Sequence, residues 1–245
     1  MKPIIYFISD AHFGAEGHEK EIRKVKTFLS FSNLVREKAE ELFILGDLFD
    51  FWFEYKRVIP TNYFRVTKAI YEMKEAGIKI TYIAGNHEWL GSFWNEMGIV
   101  TSRNAYEIER QNLRLFLSHG DDFQKGNLGN KILQWFLHLP LNISLYRLIH
   151  PDLGIPLAHL FSRFSRRPLP LSLPTGGREG GGSCPLWPGV QEKFKEGFNG
   201  VILGHTHKPK FESWQDKTYL NVGDWMEHFT YGKLENGRLT LERWS

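Results

Sequence analysis

Short apolar runs recur along the chain, and several end in a polar cluster that contains glycine. IIYFIS (4–9) leads into Asp10-Ala11-His12, LFIL (42–45) into Gly46-Asp47, and IKITYIA (78–84) into Gly85-Asn86-His87-Glu88. LRLFLS (113–118) leads into His119-Gly120-Asp121, and VIL (201–203) into Gly204-His205-Thr206-His207. Near-continuous apolar runs of this length predict buried strands. Between them, Ile22, Val25, Phe28, Leu29 and Val35 repeat at helix spacing, as do Tyr63, Val66, Ile70 and Met73. The runs TYLNV, FTYGKL and LTLERW predict closing strands joined by turns at Gly223 and Asn236-Gly237. Strand–helix alternation followed by a strand-rich end predicts a layered α/β fold.

Two segments break the rhythm. Residues 123–178 carry seven basic residues (Lys125, Lys131, Arg147, Arg163, Arg166, Arg167 and Arg178) against one acid, Asp152, and are rich in Leu, Ile, Phe and Trp. That pairing of charge and apolar surface suits an anionic lipid or membrane better than simple packing, which gives no reason to exclude acids from an exposed face. In 168–189, 11 of 22 residues are Pro or Gly. This predicts a loop with little order, unless a frame error lies in the sequence itself. The longest charge-free apolar stretch, Ile132 to Tyr146, contains Gln134, His138, Pro140 and Asn142. It falls short of the ~20 residues a membrane span needs.

Composition adds limits. The chain has 245 residues, 42% hydrophobic and 24% charged, which excludes global disorder. An aromatic share of 15% predicts a large apolar binding surface as well as a core. A net charge of +3 is too small to make nucleic acid the expected partner. The single Cys184 excludes an internal disulfide framework and a Cys-rich metal site, and fits a reducing compartment. The apolar stretch before Asp10 is too short for a secretory signal core, so a cytoplasmic protein is expected.

The strand-end clusters share one chemistry. Asp10, His12, Asp47, Asn86, His119, His205 and His207 offer carboxylate, amide and imidazole donors from five separate segments. Asp-x-His and His-x-His put alternate residues on one side of an extended segment, so each pair can aim two ligands into one pocket. The interleaved Gly46, Gly85, Gly120 and Gly204 allow close approach. A two-metal site with a bridging carboxylate can clamp both oxygens of a phosphoryl displacement. Mixed Asp, Asn and His donors suit Mn²⁺, Zn²⁺ or Fe better than Ca²⁺. His18, His138, His150, His159 and His228 read as surface or packing residues. Asp121 and Asp224 read as orienting groups, and Glu88 as a support for His87.

Asp10-x-His12, Gly46-Asp47, Gly85-Asn86-His87-Glu88, His119-Gly120-Asp121 and Gly204-His205-Thr206-His207, in this order, resemble the five blocks of the calcineurin-like metallophosphoesterase superfamily. The resemblance implies a four-layer αββα sandwich with two divalent metal ions at one loop edge. It implies Asp10, His12, Asp47 and His207 on one metal, and Asp47, Asn86, His119 and His205 on the other, Asp47 bridging. His87, with Asn86, would be catalytic.

Three further stretches resemble the UDP-2,3-diacylglucosamine pyrophosphatase family of the lipid A pathway. They are Gly46-Asp47-Leu48-Phe49-Asp50-Phe51-Trp52, then His150-Pro151-Asp152-Leu153-Gly154 with Leu157-Ala158-His159 and Ser162-Arg163, and Asn221-Val222-Gly223-Asp224-Trp225. This resemblance implies a helical cap inserted at 123–167, with Asn127, Arg163, Ser165 and Arg166 near the substrate. It also implies a nucleotide-linked acyl-sugar lipid as substrate, Mn²⁺ as the metal and a peripheral place on the inner face of the inner membrane. A metal-bound hydroxide would attack the pyrophosphate, releasing UMP and 2,3-diacylglucosamine 1-phosphate. Many members of that family have Arg after the Asn of the third block, whereas this chain has His87. A generic soluble phosphodiesterase or nucleotide hydrolase of the same superfamily is the alternative.

Overall fold

The computed structural model describes residues 3–55, 57–123, 140–166 and 187–245. Two sheets face each other. The first has β1 (Ile4–Ile8), β2 (Ala39–Leu45), β4 (Lys79–Ile83), β6 (Val100–Ser102), β12 (Thr230–Glu235) and β13 (Arg238–Arg243), in the order β13-β12-β1-β2-β4-β6. The second has β7 (Tyr106–Arg110), β8 (Leu113–Leu117), β9 (Gly200–Leu203), β10 (Lys210–Trp214) and β11 (Lys217–Asn221), in the order β10-β11-β9-β8-β7. Strands β1, β2, β4 and β6 run parallel, as do β8, β9 and β11. Antiparallel strands close the remaining edges.

The alternation of each strand divides its side chains between two cores. Ile5 and Phe7 of β1, Phe43 and Leu45 of β2, and Leu115 and Leu117 of β8 meet between the sheets. Tyr6, Ile8, Leu42 and Ile44 face the other way, onto α1 (His18–Lys38) and α2 (Phe64–Glu75), through Phe28, Phe31, Val35, Val66 and Ile70. Phe116, Val201 and Tyr219 face Val190 of α6 (Trp187–Lys195). The layers are therefore helix, sheet, sheet, helix: the four-layer αββα sandwich. Arg110 of β7 ties the sheets at one end, its Nε 2.6 Å from Glu41 Oε1 on β2.

The sequence pattern locates the main strands to within a few residues and finds both helices, but it misplaces two positions. Ile22 is 37% exposed, and the buried face of α1 is Lys24, Phe28, Phe31, Ser32 and Val35. Tyr63 belongs to the 3₁₀ turn Thr61–Tyr63 that precedes α2. The aromatic excess goes in large part to the core. Trp52, Trp94, Trp225, Phe13, Phe28 and Phe49 are fully buried, so much of it is core.

A small parallel ribbon of β3 (Trp52–Phe53) and β5 (Glu88–Trp89) stands beside the first sheet. The short helix α3 (Phe93–Glu96) follows it. Within 123–167 the described helices are α4 (Pro140–Tyr146) and α5 (Pro151–Arg166). They pack on the ribbon: Tyr146 meets Phe53 with ring centroids 4.6 Å apart, and Ala158 joins Phe51 and Phe53 in one cluster. Residues 124–139 and 167–186, including Asn127, His138, Cys184 and most of the Pro/Gly-rich stretch, lie outside the described residues. No helix among the described residues is long and apolar enough to cross a membrane.

Phe31 lies within 6 Å, centroid to centroid, of Tyr6, Trp225, Tyr231 and Trp244. Truncating Phe31→Ala is expected to cost about 3–5 kcal/mol. Urea denaturation should show this as a lower midpoint with little change in slope.

Candidate metal centre

All the strand-end clusters open on the same edge of the two sheets. Asp10 and His12 follow β1, Asp47 follows β2, Asn86 and His87 follow β4, His119 follows β8, and His205 and His207 follow β9. Backbone bonds lace these loops together. Asp10 N donates to Gly46 O at 3.1 Å, His12 N to Asp47 O at 3.0 Å, and Gly204 N to His119 O at 2.9 Å.

Asp10 and Asp47 are buried and built alike. One oxygen of each is held by a backbone amide: His205 N donates to Asp10 Oδ2 at 2.7 Å, and His87 N to Asp47 Oδ1 at 3.1 Å. The other oxygen faces imidazoles. Asp10 Oδ1 lies 3.3 Å from His207 Nε2 and 3.8 Å from His12 Nε2, and has no hydrogen-bond partner. Asp47 Oδ2 lies 3.6 Å from His12 Nε2, 3.4 Å from His119 Nε2 and 3.9 Å from His87 Nε2. His119 Nε2 is in turn 3.1 Å from both Asn86 Oδ1 and His205 Nδ1, and His12 Nε2 is 3.2 Å from His207 Nε2. The seven predicted ligands thus converge, and Asp47 Oδ2 stands between their two halves.

The donor set fits cations. Two donors about 2.1 Å from one ion, at angles between square and tetrahedral, sit roughly 3.0–3.4 Å apart; the donor pairs here stand at 3.1–3.9 Å, at and a little beyond that spacing. Tautomers agree. His119 Nδ1 lies 2.8 Å from Leu45 O, which can only accept, so Nδ1 carries a proton and Nε2 is the nitrogen turned to the pocket. His87 Nδ1 is fixed in the same way on Asp50 O at 2.9 Å, presenting Nε2. Triads of donors able to hold an ion are Asp10–His12–His207, His12–Asp47–His87 and Asp10–Asp47–His119.

Burial sets the electrostatics. It raises the Asp47 carboxyl, but the imidazoles of His119, His87 and His12 outweigh it and hold the group well below the usual range. Burial lowers His119, while Asp47 pulls it well above an ordinary histidine. Burial prevails at His87, His205 and His207, which are shifted toward the neutral ring that a ligand or proton acceptor needs.

Several features escape the sequence reading. Asp10, His12, Asp47, His205 and His207 all have left-handed backbone, with φ of 52°, 42°, 51°, 69° and 56°. Each costs about 1–2 kcal/mol for a residue with a side chain. The strain sits on the candidate ligands themselves and not only on the neighbouring glycines. At Gly85 the need is for space: a Cβ there would strike Asp47 Oδ1.

Glu88 does not steady His87. It accepts from Asp47 N (3.1 Å), Leu48 N (2.8 Å), Phe49 N (3.2 Å) and Gly85 N (3.0 Å), and from the Tyr82 hydroxyl. Burial and the nearby Asp47 charge push its pKa up to about 7. Asp224 is an orienting group. It accepts from Met226, Glu227 and His228 N, and its Oδ2 lies 2.5 Å from His228 Nδ1. The next amide, Trp225 N, holds Asp10 O at 3.2 Å. Arg163, Ser165 and Arg166 fall in the last turns of α5.

Comparison with known proteins agrees with this geometry. A sequence model of the calcineurin-like phosphoesterase family matches residues 4–209. A UDP-2,3-diacylglucosamine hydrolase of Porphyromonas gingivalis is 27% identical, over 99% of this chain and 98% of that protein. One from Tolumonas auensis is 29% identical, over 96% and 94%. One from Proteus mirabilis is 33% identical over a shorter span, 57% and 61%.

Removing the Glu88 carboxylate leaves four backbone amides without their acceptor. Glu88→Ala is expected to lower stability by about 1–3 kcal/mol. Hydrogen exchange should quicken at Leu48, Phe49 and Gly85 while the strand amides of β8 and β9 stay protected.

Proposed function

This chain belongs to the calcineurin-like phosphoesterase family, and we propose that it cleaves the pyrophosphate of UDP-2,3-diacylglucosamine to UMP and 2,3-diacylglucosamine 1-phosphate. It is a metal-dependent phosphoester hydrolase. The observation that carries the chemistry is Asp47 Oδ2, buried within 4 Å of three imidazole nitrogens from three loops. The choice of substrate is supported by relatives of that name that match nearly the whole chain, 140–166 included.

Asp10, His12, Asp47 and His207 would hold one cation, and Asp47, Asn86, His119 and His205 the second. Mn²⁺ is the metal proposed, on the donor set. Two such ions supply Lewis acidity at the phosphoryl oxygens and lower the pKa of water. The protein's own groups do the rest. Asp47 fixes the spacing of the two halves, and His87 N–H holds its other oxygen in place. His87, its Nδ1 proton anchored on Asp50 O, turns Nε2 to the pocket. Burial favours the neutral ring, so Nε2 is placed to accept a proton beside the phosphoryl group and, once it carries one, to donate to a non-bridging oxygen as charge builds on it. Asn86 Oδ1 faces the same pocket beside His119. A histidine at this position fills the place where many related pyrophosphatases have Arg.

The inserted helices supply the lipid side. Phe51, Phe53, Tyr55, Trp89 and Tyr146 form an aromatic floor under α4 and α5. Beyond it Leu148 is 81% and Leu153 69% exposed, with Leu145 and Leu157 also outward. This apolar rim lies in the basic stretch 123–178, a combination suited to the anionic inner leaflet. Arg163 and Arg166, with Ser165 and Asn127, are proposed to meet the phosphates, and the enzyme to work at the cytoplasmic face of the membrane.

Incubation with UDP-2,3-diacylglucosamine and Mn²⁺ should yield UMP and the diacyl sugar phosphate by mass spectrometry. Brisk cleavage of small soluble diesters without this product would instead favour a generic phosphodiesterase. Asp47→Asn should abolish turnover and empty both cation positions. His87→Ala should lower turnover about 10²–10³-fold with metal content unchanged; a lost metal ion would make His87 a ligand. Leu148→Glu combined with Leu153→Glu should release the protein from anionic vesicles in co-sedimentation and leave cleavage of a soluble diester intact.

A further inference from the structure

Lys24 occupies a position in α1 where an apolar side chain would be expected. It opens the buried face that continues through Phe28, Phe31 and Val35, and it is 1% exposed. Its ammonium lies 3.2 Å from Glu21 and 3.8 Å from Glu16, over the Phe13 ring at 5.3 Å. Burial pushes its pKa down, while Glu21 and Glu16 pull it back up. Burying an ammonium is costly even when it is paired, and an apolar residue of similar volume often serves stability as well or better. Packing alone therefore does not account for a lysine here.

The ammonium reaches one further group. Lys24 Nζ donates to the backbone carbonyl of His12 at 2.9 Å. That carbonyl also accepts from Ala15 N at 3.0 Å, and the His12 amide donates to Asp47 O at 3.0 Å. His12 has a φ of 42°, a conformation that a residue with a side chain leaves unless it is held. Pinned at its amide and its carbonyl, the residue has one direction for its Cα–Cβ bond. That direction places Nε2 among Asp10, Asp47 and His207. A charged donor makes the stronger hydrogen bond, and the stem of Lys24 is fixed by a helix anchored through Phe28 and Phe31.

We propose that Lys24 is a positioning residue of the metal centre: its ammonium holds the His12 carbonyl, keeps His12 left-handed, and so aims Nε2 at the cation shared with Asp10, Asp47 and His207. The proposal rests on the two-metal reading above. It gives a buried helix lysine, remote from the substrate, a part in metal affinity.

The test is titration of metal-free protein with Mn²⁺, followed by calorimetry and without turnover. Wild type should bind two ions; binding none overturns the two-metal reading and the Lys24 role with it. Lys24→Met should melt, metal-free, within a few degrees of wild type, yet bind one of the two ions at least tenfold more weakly. Lys24→Arg, which keeps a charged donor, should recover most of that loss. In a His12→Ala background, Lys24→Met should bring no further loss, because the residue it acts through is gone. Wild-type affinity in Lys24→Met overturns the Lys24 role and leaves the two-metal reading intact. So does equal loss in the Met and Arg variants, or an undiminished effect without His12. If Lys24→Met does not fold, Lys24→Gln decides by the same titration. Its shorter, neutral amide leaves the carbonyl to Ala15 N alone, so weaker binding of one ion supports the role and unchanged affinity overturns it.

Discussion

Two carboxylates that are out of water and face imidazole nitrogens at 3.3–3.9 Å set the terms for the rest of this molecule. Asp10 and Asp47 would repel each other if left bare, and among the described residues no lysine or arginine pairs with either. Neighbouring histidines moderate that repulsion, and divalent cations remove it. The need to keep seven donors close together explains features that look costly alone: five donor residues with left-handed backbone, a glycine whose Cβ would collide with Asp47, and a glutamate given to four backbone amides.

The sandwich is what bears that cost. Parallel strands β1, β2 and β4 end at one edge of the first sheet, and β8 and β9 at the same edge of the second. The apolar layer between the sheets fixes how far apart those edges stand, so ligands from both sheets meet in one pocket. Helix α1 covers the first sheet and also carries Lys24 to the back of the pocket. One element thereby serves both core and site. On the other side, the β3–β5 ribbon joins the site to the inserted helices: Glu88 braces the loop after β2, and its neighbour Trp89 lies in the aromatic floor under α4 and α5.

Much of this was legible in the sequence. Each main strand announces itself as an apolar run, because a strand covered on both faces has no polar positions to interrupt it. Each ligand group announces itself as a polar cluster at the end of such a run, because only the loop edge can hold polar donors. Lys24 was hidden for the opposite reason. A lysine between Arg23 and Val25 reads as a solvated helix position, and only the packing of Phe28 and Phe31 shows that it points inward. The aromatic share pointed to a core as well as a binding surface, but composition counts rings without saying that Trp52, Trp94 and Trp225 are the ones in the core.

Residue type and order by themselves determined the layered α/β fold, the strand-end donors and the chemistry those donors can perform, because strand burial and ligand type are local properties of the chain. Tertiary structure alone decided the rest: that Asp47 Oδ2 stands between the two halves of the site, that five of its seven donor residues sit in left-handed backbone, that Glu88 serves the loop after β2 and not His87, and that Lys24 reaches His12. These depend on distances between segments far apart in the chain, which are fixed only when the two sheets pack face to face.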